Sequence, residues 1–299
     1  MRECTAAVLQ LCATPQFDAS VREAASWCRR ALEAGADLVA LPENYWGIGP
    51  EEAKFAVAVD LSRPEASPLV APFLELSART SAILALGGLP EAADLDDAGD
   101  GARPRVHNTH ALLHRGRIVA AYRKIHLFDA DLESGSLRES ATVAPGATPT
   151  LVRTDLADLG LSICYDLRFP ALYRALAAAG AEVVLIPAAF TLTTGIDHWS
   201  VLLRARAIET QTYVLAAAQH GRHNPSRHSF GHAMIVDPWG IVVAQASPGD
   251  GMALARLRPE ILHSVRRALP VGRHHVLDAP TPATIVDRRE RGDGSDPRP

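Results

Sequence analysis

Lysine is nearly missing from this chain. Of 30 basic residues in 299, only Lys54 and Lys124 are lysine, and the rest are arginine. An ammonium is a compact charge on a flexible stem, whereas a guanidinium is a rigid planar fork. In a chain that chooses arginine so consistently, a lysine at a chemically interesting place needs a reason. Cysteine is scarce too: Cys4, Cys12, Cys28 and Cys164, with no C-x-x-C pair. That spacing excludes a cysteine zinc site, and a long chain without a secretory signal seldom rests on disulfides. Cys4, Cys12 and Cys28 fall on apolar or helical positions and are expected to be small core residues. No apolar run approaches the roughly 18 residues of a membrane span. The opening "MRECTAAVLQ" lacks a signal-peptide apolar region, so the expectation is a soluble, cytoplasmic protein without membrane contact. No basic block or stripe occurs, net charge is −4 and pI is near 6.3, which removes electrostatic support for a nucleic-acid partner.

What is present is ordinary globular material, with 47% hydrophobic and 21% charged residues. "TAAVLQL" (5–11) reads as a buried strand, followed by a helix capped by Asp18 and stopped at Gly35, then the strand "DLVALPE" (37–43). A helix near 65–80 leads into "AILALGGLP"; 92–105 reads as a surface loop, and "HNTHALLHRGRIVAAYRK" as a hairpin turning at Arg115-Gly116. Residues 125–149 look irregular, and long loops of that kind are often functional. Strands at 150–154 and 159–164, a helix at 170–179, the strand "EVVLIPA", a helix at 197–210 and "YVLAAAQ" follow. After a His/Arg/Asn loop come paired strands turned by "DPWG", then "MALARL" and a helix at 259–269. No repeat or linker is visible. The layout is α/β in one domain, 1–279, with a polar tail at 280–299 expected to be disordered.

Three strands end in reactive groups: Glu43 closes "DLVALPE", Lys124 closes "IVAAYRK", and Cys164 closes "LGLSIC". Ligands of α/β sheets bind outside strand carboxyl ends. A thiolate attacks carbonyl carbon but is a minor species near neutral pH. A neighbouring ammonium favours it and can hold the charge of a tetrahedral intermediate, with the Tyr165 backbone N–H as a second donor. Glu43 can take the thiol proton, hand it to a leaving amine, and then activate water. Each residue also has a plain structural reading: a core thiol, a loop carboxylate, a solvated strand end. Spacing alone leaves both readings open.

"LPEN" with Glu43, "YRKIHLFD" with Lys124 and "ICYDLRFP" with Cys164 resemble the three signature blocks of the nitrilase (carbon–nitrogen hydrolase) superfamily. The likeness extends through "IPAAFTLTTGIDHWSVLLRARAIETQTYVLAAAQHGRH" and "GHAMIVDPWG", over roughly 5–275. It points to the branch of deaminated-glutathione amidases and ω-amidases. The resemblance implies a four-layer α-β-β-α sandwich, a homodimer or higher homo-oligomer, and no metal or organic cofactor. It implies that Glu139, in "LRESATVAPG", orients Lys124 and the substrate amide; Glu133 is a second candidate, and a turn-capping carboxylate is the reading without the family. It further implies that Tyr165, Arg168, Phe190 and Thr194 line the substrate pocket, with Arg168 gripping a substrate carboxylate; locally, Arg168 could instead pair with Asp166.

The function expected is a cysteine-dependent amidohydrolase, releasing acid and ammonia from a small, carboxylate-bearing amide through a thioester. N-carbamoyl-amine hydrolysis and nitrile hydrolysis are alternatives on the same scaffold, although nitrilases of the superfamily tend to carry Trp-Glu where this chain has Tyr165-Asp166. A different class is an inactive binding partner, against which the four catalytic residue types argue. His220, His223, His228 and His232 match no common zinc spacing and read as a polar loop. Ser162, "RARAIET", Trp199 and Trp239 read as structural, the two tryptophans as core.

Overall fold

Successive side chains of a strand point to opposite faces, and the strand Cys4–Leu11 buries both. Cys4, Ala6 and Val8 join one apolar cluster, while Ala7, Leu9 and Leu11 join another. A strand apolar on both faces must lie inside a layered structure. The computed structural model describes residues 1–93, 105–132 and 135–277. Glu133, most of the 92–105 loop and the 280–299 tail lie outside the described residues.

Cys4–Leu11 sits in a nine-stranded mixed sheet. It is flanked by parallel partners, Leu38–Ala40 on one side and Ala218–Asn224 on the other, and pairs antiparallel with Gly251–Leu257. Ile83–Ala92, Val106–His114 and Arg117–Arg123 extend this sheet. The second sheet has six strands, with Asp158–Leu161, Val183–Leu185 and Tyr213–Ala216 as its parallel centre. The chain passes directly from Tyr213–Ala216 in the second sheet to Ala218–Asn224 in the first.

Helices cover the two outer faces. Phe17–Glu33 buries Val21, Ala24, Cys28 and Ala31 against Ala7, Leu9 and Leu11. Pro170–Ala178 and Leu192–Thr210 bury Leu172, Tyr173, Trp199 and Leu203 on the second sheet. Ala6, Val8, Leu38 and Ala40 meet Leu159, Leu161 and Ile163 between the sheets. The layers therefore run helix, sheet, sheet, helix: the four-layer α/β sandwich. No helix among the described residues is long and apolar enough to cross a membrane.

Several local expectations change. The helix expected at 65–80 is a 3-10 turn, Pro64–Ala66, and a helix, Ala71–Ala78. Pro68 explains the break, because the residue before a proline is driven to extended backbone, as Ser67 is. Residues 125–149 hold a small hairpin, Asp129–Leu132 with Gly135–Arg138. The 220–232 loop is largely a hairpin at the edge of the first sheet. The helix placed at 197–210 begins at Leu192. Gly195 sits inside it because a Cβ there would meet Phe230 Cβ at 2.3 Å; this glycine marks close packing rather than a loop. Asp18 lies in the first helical turn while Gln16 is the N-cap. Cys12 is half-buried and Trp239 is exposed, so neither is a core residue.

Candidate active site

The carboxyl ends of strands deliver the reactive side chains to one place. Glu43 lies three residues past Leu38–Ala40, in a turn where Asn44 takes φ 55°. Opposite it, Gly88 has φ +69°, and a Cβ there would stand 2.8 Å from both Glu43 Cγ and the Asn44 nitrogen. Only glycine permits this close approach. Lys124 follows directly on Arg117–Arg123, its backbone N–H donating to Asn108 O at 2.8 Å. Cys164 opens a 3-10 turn, Cys164–Arg168, three residues beyond Asp158–Leu161.

Cys164 has φ 46°, a conformation that non-glycine residues adopt at a cost of order 1–3 kcal/mol when the surroundings enforce it. Here they do. Its N–H donates to Pro187 O at 2.9 Å. Asp166 then closes the turn, accepting from Ile163 N–H at 2.9 Å, Tyr122 OH at 2.7 Å and His126 N–H at 3.0 Å. From behind, the buried Arg206 donates two hydrogen bonds to Leu167 O, at 3.0 and 2.7 Å. Ser162 is structural: its hydroxyl donates to Leu185 O and accepts from Tyr173 OH, both at 3.0 Å.

The charged groups form one buried cluster. Lys124 Nζ donates to Glu43 Oε1 at 2.9 Å and to Glu139 Oε2 at 2.8 Å. Asn108 Nδ2 bridges the same carboxylates, at 2.9 Å to Glu43 Oε1 and 3.0 Å to Glu139 Oε1. The Ala189 N–H donates to Glu43 Oε2 at 3.0 Å, and the Phe128 N–H to Glu139 Oε2 at 2.7 Å. The Lys124 and Glu139 side chains are 2% and 13% exposed. Cys164 is 8% exposed and borders the same cavity as Glu43, close enough for that carboxylate to act on its thiol.

The electrostatics follow from that arrangement. Burial works against the Lys124 ammonium, but the Glu139 and Glu43 carboxylates outweigh it and hold its pKa well above the usual lysine value. Burial works against the Glu139 carboxylate too; the Lys124 charge and the bonds from Lys124, Asn108 and Phe128 outweigh that and lower its pKa. Burial raises the Cys164 thiol well above its ordinary value, and Glu43 adds to the rise. Lys124 does favour the thiolate, as expected, but more weakly than these. The sulfur is therefore held as a thiol, and would need a base before it could act as a nucleophile. Glu43, which borders the same cavity and acts on the thiol, is the candidate base.

A cavity of about 250 Å³ opens on Cys164, Glu43, Lys124 and Glu139. A smaller lobe, which also borders Cys164, is lined by Tyr165, Arg168, Phe190 and Thr194. All eight site residues marked in the sequence thus border the space around Cys164. Arg168 does not pair with Asp166; its guanidinium lies 5.0 Å from the Phe190 ring centre and 5.8 Å from that of Tyr165, with Nη1 3.1 Å from His198 Nδ1. Thr194 Oγ1 is bonded to Thr191 Oγ1 at 2.8 Å. Sequence reasoning missed Asn108, the Ala189 N–H and the bracing role of Asp166. The one signal for Asn108 was a polar "HNTH" inside an otherwise apolar strand. Among the described residues no group of three or more His, Cys, Asp or Glu could hold a metal ion. His220 instead pairs with Asp250 at 2.7 Å, and His223 bonds Ala13 O and Ser229 Oγ at 2.7 and 2.8 Å.

The family model described as carbon–nitrogen hydrolase matches residues 5–267. The deaminated glutathione amidase of Homo sapiens is 43% identical over 278 residues, covering 91% of this chain and 82% of that protein. The NitFhit protein of C. elegans superposes with a TM-score of 0.82 at 37% identity, over 92% of this chain and 65% of that one, so the chain spans about two thirds of its length. Saccharomyces cerevisiae Nit3, a member of branch 10 of the nitrilase superfamily, superposes at 0.79 with 30% identity, over 90% of this chain and 95% of that one. The chain belongs to the carbon–nitrogen hydrolase family, within the nitrilase superfamily.

Proposed function

We propose that this hydrolase cleaves a small, carboxylate-bearing amide through a thioester on Cys164. The observation that carries the reading is the single carboxylate of Glu43, which borders one cavity with Cys164, raises the pKa of its thiol and receives Lys124. Glu43 takes the thiol proton as sulfur attacks the amide carbon, and the oxyanion is held by Lys124 Nζ and the Tyr165 N–H. That N–H lies in the first turn of a 3-10 segment, where no intrahelical acceptor exists. When the intermediate collapses, Glu43 gives the proton to the departing nitrogen and the amine leaves. Water then attacks the thioester, surrendering a proton to Glu43, and the acid departs as the thiol reforms. Glu139 and Asn108 hold Lys124 and Glu43 in register throughout.

Arg168 is assigned to a substrate carboxylate, since it lines the smaller lobe and leaves Asp166 to other partners. The leaving group has two forms. A primary ω-amide frees ammonia; deaminated glutathione, named in the human relative, has only N-substituted amides and would free a peptide amine. We assign the protein to the cytoplasm as a homodimer. Supporting the dimer, Ile196, Val201 and Ile208 on one helix and Trp239, Ile241 and Val243 nearby are exposed, and Gly240 lies against Ile208. Sedimentation should show two copies per particle, and a monomer at micromolar concentration would remove that assignment.

The deciding experiment mixes the protein with a panel of ω-amides and with deaminated glutathione, and follows amine release and intact mass. Wild type should release product and carry an acyl mass on Cys164. Cys164→Ala should do neither while keeping its fold, whereas Cys28→Ala should keep turnover. Product formation by Cys164→Ala at wild-type rates would sink the mechanism.

A further inference from the structure

Both lysines of the chain border one cavity. Lys54, in the short helix Ala53–Ala56, lines the larger lobe with Glu51, Thr142 and Arg227. Its Nζ donates to Glu51 Oε2 at 2.7 Å and to Thr142 Oγ1 at 3.3 Å; Arg227 Nη1 donates to Glu51 Oε1 at 2.7 Å. Two cations therefore share one carboxylate. Their side chains are only 16% and 26% exposed. Burial works against the Glu51 carboxylate, but the two cations outweigh it and lower its pKa, so the trio keeps one net positive charge. Donors remain: an ammonium has three N–H groups, and Arg227 Nε and Nη2 make no hydrogen bond among the described residues. Glu52 and Arg138 also face this lobe, and Arg138 is engaged by Asp131 at 2.7 Å.

The position of the trio relative to the thiol gives it a role. Phe128, Cys164, Ala189 and Thr191 border both lobes, so the attacked carbonyl sits at their junction. The acyl and amine portions of an amide leave its carbonyl carbon in different directions, one for each lobe. Glu43, the proton donor to the departing nitrogen in the reading above, borders the larger lobe and not the smaller. The amine portion therefore points toward Lys54 and Arg227. We infer that Lys54 and Arg227, held in place by Glu51, form a leaving-group subsite that receives a carboxylate on the amine portion of the substrate. The inference rests on the amidase reading, and it makes this chain selective for N-substituted amides whose amine carries an acid.

The test uses the full chain and three amides of one acyl group: the primary amide, the glycine amide and the glycinamide. Wild type should prefer the glycine amide over its uncharged glycinamide counterpart by about 10-fold or more in kcat/KM, as expected for charge-assisted hydrogen bonds. Lys54→Met and Arg227→Gln should each shrink that ratio severalfold, through KM rather than kcat, and Lys54→Glu should reverse it. Calorimetry on Cys164→Ala reads the subsite without chemistry, and should show tighter binding of the glycine amide than of the glycinamide. Equal handling of the two amides by wild type, or a ratio unchanged in all three variants, overturns the subsite. Should wild type hydrolyse none of the amides while Cys164→Ala still discriminates them, the subsite stands and the amidase reading falls.

Discussion

Lys124 and Arg168 flank the same thiol in opposite settings. Lys124 is enclosed and held by two carboxylates, themselves tied by Asn108 and two backbone N–H groups. Arg168 is half-buried, touches the His198 ring and lies across the faces of Tyr165 and Phe190. A buried charge stripped of its partner is an expensive defect, of order 3–5 kcal/mol, so the Lys124 side admits almost no change. A partly solvated cation on aromatic faces is screened and replaceable, worth about 0.5–2 kcal/mol in its contacts. On the proposed reading, the chemistry is placed where substitution is costly, and selection of substrate where it is cheap.

The comparison breaks most severely at Glu43. Glu43→Gln keeps the shape but removes the proposed base, and should lower kcat by roughly 10²–10⁴. Steady-state rates on the preferred amide check this; a loss below 10-fold would move the base elsewhere. Next comes Lys124→Arg, which preserves charge but not size. The fork cannot occupy a site built for an ammonium between two carboxylates, so kcat should fall about 10²–10³, as for loss of an oxyanion donor. Thermal melting should fall as well, and near-wild-type kcat would make Lys124 a structural charge only.

On the other side, Arg168→Ala should raise KM about 10-fold for a substrate with an anionic acyl portion while sparing a neutral analogue. Equal losses on both substrates would erase the contrast between the two sides. The last effect is one of stability and not of turnover, a pH slope. Burial holds the His110 and His223 imidazoles neutral, with pKa values lowered to about 4, against about 6.5 in an unfolded chain. Between those values the unfolded chain binds more protons, so stability falls as pH falls through the window, by roughly 3 kcal/mol per residue at most. Glu139, whose carboxyl is lowered, adds loss in the same direction below about pH 4.3. Melting curves between pH 7 and 5 should show the slope, and His110→Asn should flatten it.

The fold was legible where apolar periodicity ran unbroken, as in "TAAVLQL" and "EVVLIPA", and blurred where side chains were polar for reasons of packing. The 220–232 segment looked like a loop because its histidines and arginines hid an edge hairpin. The start of the Leu192–Thr210 helix was hidden by Gly195, whose purpose is contact with Phe230. For the site, a thiol, an ammonium and two carboxylates stood out by type, position and family resemblance. Asn108 did not, because a neutral amide inside a strand carries no chemical signal until two carboxylates are placed against it.

By itself the sequence determined which reactive groups exist, that strands present them, and that a lysine is kept at position 124 where arginine is otherwise the rule. These are local properties, carried by residue type and by hydrophobic period. Only the tertiary structure decided that Glu43, Lys124 and Glu139 share one enclosed cluster, that Cys164 rests as a buried thiol beside Glu43, and that Lys54 meets Arg227 over Glu51. Apart from Glu51 and Lys54, which are neighbours in sequence, the partners in those contacts are well separated along the chain, and desolvation and distance act only once the two sheets have packed.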